Sequence, residues 1–303
     1  MPGPPRSRPL AVALPQGLHA FSSELGAVRL MTASRPFTVW LLALGALLAC
    51  YAPFLRGMAN QWSTDEDMGH GFAVPLVVLW VVWQQRQRLR TAAGPPSYWG
   101  IAILAAGAGL HAAAAIGAGL FAGSLAFLVS LAGAVVALGG YRLLRALAFP
   151  FLLSLFMLPK LAIVYNQTTL PLQLLASRIA AFSLTAAGVG VLREGNILQV
   201  HGHRIAVAEA CNGIRYLLPL GFLSLVYGYL VAAKAWARVV LLLSVIPLAI
   251  LVNALRVALA AARPALAIGA PHMILGAALF VLCLCGLGLV HWVSNRLARG
   301  VHA

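Results

Sequence analysis

The sequence predicts an all-α, polytopic integral membrane protein with about eight transmembrane helices and a short outer-face β-hairpin. Three observations carry that prediction. Hydrophobic residues fill 62% of the 303 positions and charged residues only 9%, with a mean hydropathy of +0.92, whereas a soluble domain carries roughly a quarter charged residues. Uncharged runs recur near the length of about 20 residues that an α-helix needs to cross a hydrocarbon core. The 21 Lys and Arg against 6 Asp and Glu give a net charge of +15. In so apolar a chain that excess reads as membrane sidedness and not as nucleic-acid binding.

The elements follow in order. Residues 1–36, rich in proline at the start, read as a disordered cytoplasmic segment, and residues 37–293 as the transmembrane domain. Residues 37–55 form the first uncharged run, and residues 71–83 a short second one that reaches spanning length if it begins near Met68. Residues 91–141 hold no charge and fit two crossings turning near Gly119 to Gly123; residues 143–159 make a fifth. Residues 214–233, 239–255 and 273–293 complete eight, before a cytoplasmic tail over 294–303. With the N-terminus inside, Arg6, Arg8, Arg29, Arg35, the Arg86–Arg90 cluster, Arg142, Arg145, Lys234, Arg238, Arg296 and Arg299 all fall in the cytoplasm, while five of the six acids fall outside. Residues 169–190 are apolar but carry Gln173, Ser177 and Arg178 on neighbouring faces, which predicts a helix lying in the outer interface. Residues 197–200 and 203–207 around His201 and Gly202 read as the hairpin.

This topology gathers distant polar residues at the outer face, where ionisable groups near a bilayer need a reason to be. Asp65 and His70 enter the second crossing, Cys211 to Arg215 the sixth, Asn253 and Arg256 leave the seventh, and His272 opens the eighth. Cys50, Cys283 and Cys285 sit in apolar runs as packing residues, and the four cysteines are too dispersed for a disulfide framework or zinc site. Cys211 differs, because it stands at a helix start beside charged residues, where cations and the helix dipole favour the thiolate. His272 suits a proton donor to a leaving amine, and Arg256 a holder of a carbonyl or oxyanion. Taken singly, Arg256 is a terminal arginine that snorkels to headgroups, His272 a helix-entry residue, and Asp65-Glu66-Asp67 a solvated loop. His201 and His203 read as turn residues in preference to a metal pair. No metal or organic cofactor is required.

Five segments resemble the exosortase/archaeosortase family, in the bacterial branch. They are His70-Gly71-Phe72-Ala73-Val74-Pro75-Leu76, Leu170-Pro171-Leu172-Gln173, Leu192-Arg193-Glu194-Gly195-Asn196, Glu209-Ala210-Cys211-Asn212-Gly213-Ile214-Arg215, and Asn253-Ala254-Leu255-Arg256-Val257 with His272 beyond it. The likeness covers residues 37–293. Where the family's cysteine motif commonly has Ser, this chain has Asn212. The resemblance implies a thiol protease and transpeptidase of the bacterial inner membrane, multi-pass, with its active site on the periplasmic side. It implies Cys211, Arg256 and His272 as catalytic residues; Arg215, Asn253, Asp65 and His70, gathered at the same outer face, are the candidate substrate-binding residues. The implied substrates are tail-anchored exported proteins whose C-terminal sorting signal holds a Pro-Glu-Pro motif, a transmembrane helix and a basic tail. They would be passed to a surface glycan or lipid acceptor, with a link to exopolysaccharide export. An acidic motif suits Arg215, Arg256 and Arg263. The rival readings are a non-catalytic membrane assembly protein for exopolysaccharide export and a transporter, the latter disfavoured by the scarcity of polar residues in 217–230 and 241–250.

Overall fold

The structure, a computed structural model, describes residues 37–207, 213–231 and 234–300. The chain enters through α1 (Phe37–Cys50) and α2 (Ala52–Thr64), which meet at a 69° bend. Pro53 lies in the first turn of α2 and has no N–H to continue the preceding helix, so the bend falls just before it. The buried Tyr51 sits at the break, sharing a 2.8 Å hydrogen bond with the Ser130 hydroxyl. The first apolar run was expected to stop near Leu55; in fact the helix restarts and runs on to Thr64.

A 3-10 turn (Gly69–Phe72) leads into α3 (Ala73–Gln84) and the basic α4 (Arg86–Ala92). Then α5 (Trp99–Ala113) and α6 (Gly119–Ala146) fold back on each other through a π-turn, Ala114–Ala118. Gly117 (φ 134°) and Gly119 (φ 83°) make that reversal, in backbone conformations that side chains other than glycine resist. Glycines also set how closely the two legs approach. A Cβ at Gly100 would collide with the Ala137 backbone, one at Gly107 with Ser130, and one at Gly133 would lie 2.7 Å from the Leu104 backbone nitrogen. Close backbone approach of this kind gives helices in a bilayer dispersion contacts that burial alone cannot supply. The expected pair of runs turning near Gly119 is therefore a tight helical hairpin.

Further contacts fix the two ends of the bundle. Trp40 lies against Gly139, Phe54 against Gly123 and Leu120 against Gly57, so α1 and α2 together run antiparallel to α6. The 3-10 turn at the start of α3 meets α7 (Ala148–Ser154) and its 3-10 extension Leu155–Met157: His70 Nε2 donates to the Phe156 carbonyl at 3.1 Å. Beyond α3, Gln85 donates to the Tyr229 hydroxyl at 2.7 Å, and Phe149 stacks on Tyr229 at 4.3 Å. The end holding Asp65 and His70 is called the site end below, and the end holding Gln85 and Tyr229 the opposite end.

The chain then remains at the site end. Helix α8 (Ala162–Ala186) leads to β1 (Val191–Glu194), β2 (Ile197–Val200) and β3 (His203–Ala206), an antiparallel meander in which Val191 pairs Val200 and Val200 pairs His203. The expected hairpin is present as β2 and β3, turning on His201 (φ 49°) and Gly202 (φ 81°), the pattern of a two-residue hairpin turn. Strand β1 was not anticipated. Near the start of α8, Tyr165 bonds Asp67; near its end, Leu184 packs with Leu198, Val257, Ala258 and Ala261. Both ends of the helix thus meet the site end. Its polar residues were expected to face the outer interface, and the structure corrects this. Gln173 and Ser177 are buried, bonding Asn196 and the Gly195 carbonyl at 3.3 and 2.9 Å, while Arg178 lies among exposed Leu174, Leu175 and Phe182. Ser177 thereby satisfies a backbone carbonyl of the β1–β2 turn, and Gln173 accepts from the side-chain amide of Asn196 in the same turn.

Three long helices complete the chain: α9 (Ile214–Val231), α10 (Ala235–Ala262) and α11 (Gly269–Gly300). Tyr216, Leu220, Leu241, Val245, Leu279, Cys283 and Leu287 form their common core. Among the described residues, four helical segments are long and apolar enough to cross a bilayer: 99–146, 214–231, 235–262 and 269–297. The number is six if the bent pairs α1–α2 and α7–α8 each count as one. The first of the four is the folded-back hairpin. Large apolar side chains such as Leu42, Leu243, Ile246 and Leu282 stand exposed on the helices, as a lipid-facing surface requires.

Candidate active site at one end of the bundle

One wall of the site is the turn between α2 and α3. Its three consecutive acids were expected to be a solvated loop, but the structure clamps Asp65 and Asp67 and leaves only Glu66 largely exposed. Lys160 Nζ donates to Asp65 at 2.7 Å and to Asp67 at 2.9 Å, and the Tyr165 hydroxyl donates to the same Asp67 oxygen at 3.2 Å. The Asp67 backbone N–H donates to Asp65 Oδ1 at 3.0 Å, closing the turn on itself. The Lys160 ammonium also lies 4.2 Å from the Tyr165 ring centroid. Burial alone would lower the Lys160 pKa, but the hydrogen bonds and charges of Asp65 and Asp67 outweigh it and hold the pKa above its ordinary value. Glu66, between the two aspartates, pairs with Arg215 in the first turn of α9, and Arg215 Nε lies 4.0 Å from Asp67 Oδ1.

The other wall comes from α10 and the start of α11. Arg256 is 1% exposed, which removes the reading of a terminal arginine reaching for headgroups. Its Nη2 donates to His272 Nε2 at 2.6 Å, and His272 Nδ1 donates to the Leu266 carbonyl at 3.0 Å. Because a guanidinium only donates and a carbonyl only accepts, both bonds are satisfied by one neutral imidazole tautomer, with its proton on Nδ1. The Arg256 guanidinium carbon is 5.8 Å from the Tyr216 ring centroid, a loose cation–π contact. Arg256 Nε and Nη1 are buried with no hydrogen-bond partner among the described residues. Two guanidinium donors held out of water without an acceptor are costly, and a carbonyl or anion placed beside them would relieve that cost.

Between the walls lies a cavity of about 400 Å3, lined by Glu66, Asp67, Arg215, Tyr216 and Arg256 with Met273 at its side. That volume suits a peptide segment of a few residues. The structure brings Arg215, Arg256 and His272 together here, with His70 on the lining and Asp65 one bond behind it through Lys160. Asn253 is buried on α10 one turn before Arg256 and packs beside Gly213, whose backbone (φ 87°) precedes α9. Cys211 lies outside the described residues, two positions before Gly213. Arg263 caps the end of α10 and does not line the cavity.

Sequence reasoning missed Lys160, Tyr165 and Tyr216 as parts of the site, and favoured a solvated loop over substrate binding for Glu66. Lys160 had a visible signal, being one of two lysines in the chain and standing at the end of an apolar run. The tyrosines had none, since an aromatic ring in an apolar helix is ordinarily core.

A family profile described as a transmembrane exosortase matches residues 62–289, about three quarters of the chain. The matched span begins at Trp62, just before the acidic turn, and ends within α11, so it contains every residue of both walls. No curated protein and no solved structure matches the chain.

Proposed function

This chain belongs to the transmembrane exosortase family, and on that premise we propose that it is a membrane-embedded cysteine peptidase and transpeptidase acting on C-terminal sorting signals of exported proteins. The observation that carries the proposal is the buried Arg256–His272 pair, with two guanidinium donors unpaired among the described residues, on a cavity beside the residue that follows Cys211-Asn212. In this reading a substrate carbonyl enters and accepts from Arg256, whose Nη2 releases His272 Nε2. His272 then takes the Cys211 thiol proton, and the sulfur attacks the carbonyl carbon. Arg256 stabilises the oxyanion. Collapse breaks the C–N bond, the leaving amine takes the proton from His272, and the upstream peptide remains as a thioester on Cys211. A hydroxyl or amine of a surface glycan or lipid then gives its proton to His272, attacks the thioester and releases the Cys211 thiolate.

The membrane arrangement belongs to the same proposal. The chain crosses a bacterial inner membrane eight times with both termini inside, and the site end faces the periplasm. The alternating contacts of α1–α2, α3, α5, α6, α7, α9, α10 and α11 between the two ends support that count. A tail-anchored substrate presents its juxtamembrane motif at that depth.

The test coexpresses wild type or Cys211→Ala with a tagged exported protein ending in a Pro-Glu-Pro motif, an apolar helix and a basic tail, and follows its size by immunoblot. Wild type is expected to remove the tail, and an equally abundant Cys211→Ala to leave it. Equal processing by both would remove Cys211 as the nucleophile. Unimpaired surface-polymer export with Cys211→Ala, alongside loss of export on deleting the whole chain, would favour an assembly role instead.

A further inference from the structure

The two arginines of the cavity differ in depth and in what holds them. Arg256 is almost wholly buried and fixed through His272, whereas the Arg215 side chain is 21% exposed at the rim, and its close partner Glu66 is 71% exposed. An ion pair with one partner so open to water adds little to stability. The fold does not need Glu66 on Arg215.

The local backbone lets Glu66 leave without disturbing the turn. Asp65 and Asp67, on either side of it, are both clamped by Lys160, and Asp67 further by Tyr165. Backbone bonds from the Met68 N–H to the Asp65 carbonyl (2.9 Å) and from the Gly71 N–H to the Met68 carbonyl (2.8 Å) fix the remainder. Glu66 is thus the unclamped middle residue of a rigid turn, with only its side chain to move. When it swings away, Arg215 keeps Asp67 at 4.0 Å and gains an open guanidinium edge on the cavity.

Resting on the function proposed above, we infer that Glu66 is an internal stand-in for a substrate carboxylate: it occupies Arg215 in the empty site and is exchanged for an acidic side chain of the incoming peptide. Arg215 is then the residue that reads the peptide's acid, and Arg256 the one that meets the carbonyl being cleaved. Glu66 sets the threshold, because a neutral peptide gains nothing from displacing it. A guanidinium suits this exchange, since it can accept a second carboxylate bidentately once the first has gone.

The experiment uses the full chain in lipid nanodiscs, in a Cys211→Ala background so that no probe is consumed. Two fluorescent peptides are titrated, each an apolar helix preceded by Pro-Glu-Pro or by Pro-Gln-Pro. Without substitution in the turn, the acidic probe is expected to bind more tightly. Glu66→Gln should tighten the acidic probe by about threefold to tenfold and leave the neutral probe unchanged. Arg215→Gln should weaken the acidic probe by about tenfold and make the two probes equal. Adding Glu66→Gln to Arg215→Gln should change nothing further. Equal binding of both probes without these substitutions, or a Glu66→Gln that weakens both alike, overturns the exchange. Discrimination between probes without any cleavage by the Cys211-containing chain would retain the exchange and remove the peptidase reading. Cleavage without discrimination would do the reverse.

Discussion

The two halves of the bundle are held together by different means. In the α5–α6 hairpin, 56% of the most apolar stretch is buried, and a glycine seam brings the two backbones together. In α11 the corresponding share is 17%, and α9 and α11 meet chiefly through α10 between them. Yet the loosely covered half carries Arg215, Arg256 and His272, and the tightly packed half contributes only the acidic turn and its neighbours to the opposite wall. A rigid half that presents a fixed wall, and a more open half that presents the reacting groups, fit a site that must admit a chain segment from the bilayer. The ionic contacts between the halves at the site end run through Arg215, to Glu66 and Asp67.

The comparison breaks most visibly at Arg256. Arg256→Gln is expected to cut tail processing by roughly a hundredfold to a thousandfold while the protein still inserts and purifies, because a lost oxyanion donor costs about that much; the assay is the rate of substrate shortening. Next in size is the seam. Gly100→Ala forces a methyl group into the Ala137 backbone, and should destabilise the hairpin by about 2 kcal/mol. Gly288→Ala on α11, with nothing within 4 Å of the added group, should not lower the detergent melting temperature. If both behave alike, close packing does not distinguish the halves.

The smallest effect sharpens the fixed wall. Lys160→Met leaves Asp65 and Asp67 without their shared cation and should cost about 1–2 kcal/mol, read from thermal melts at neutral pH. The wild-type clamp has a definite pH dependence. A lysine whose folded pKa is raised contributes fully below its ordinary value of 10.5 and loses that contribution as pH climbs through the higher folded value. Wild-type melting temperature should therefore keep its margin over Lys160→Met from neutral pH to about pH 10 and lose it above 10.5. A margin that shrank near pH 7 would assign the stabilisation to some other group.

Much of this arrangement was legible in the residues, for identifiable reasons. Apolar runs mark helices because a bilayer leaves the backbone no alternative. The reversal near Gly119 and the turn at His201-Gly202 were legible because both need left-handed backbone. The meeting of Arg215, Arg256 and His272 followed from placing helix ends on one side. The bend before Pro53 was signalled but passed over, since proline in a first helical turn marks a restart as well as a start. What the sequence could not convey is the pairing of side chains across the fold. Nothing local distinguishes a solvated Asp65-Glu66-Asp67 from one clamped by a lysine 93 residues beyond Asp67. Nor does helical periodicity reveal that Gln173 and Ser177 serve a neighbouring β-turn, because a polar stripe looks the same whether it meets water or another backbone.

The stretch comprising α8 and the meander leaves the bundle at the site end and returns to it at the same end, where Val207 packs beside Val257 on α10. In bookkeeping of direction it is topologically neutral: whatever its length, α9 still begins at the end from which α8 departed. A change in its length would therefore invert no helix that follows, even though two of the family-like segments, 170–173 and 192–196, lie within it. Among the described residues its obligations are to hold Asp67 through Tyr165 and to cover the end of α10.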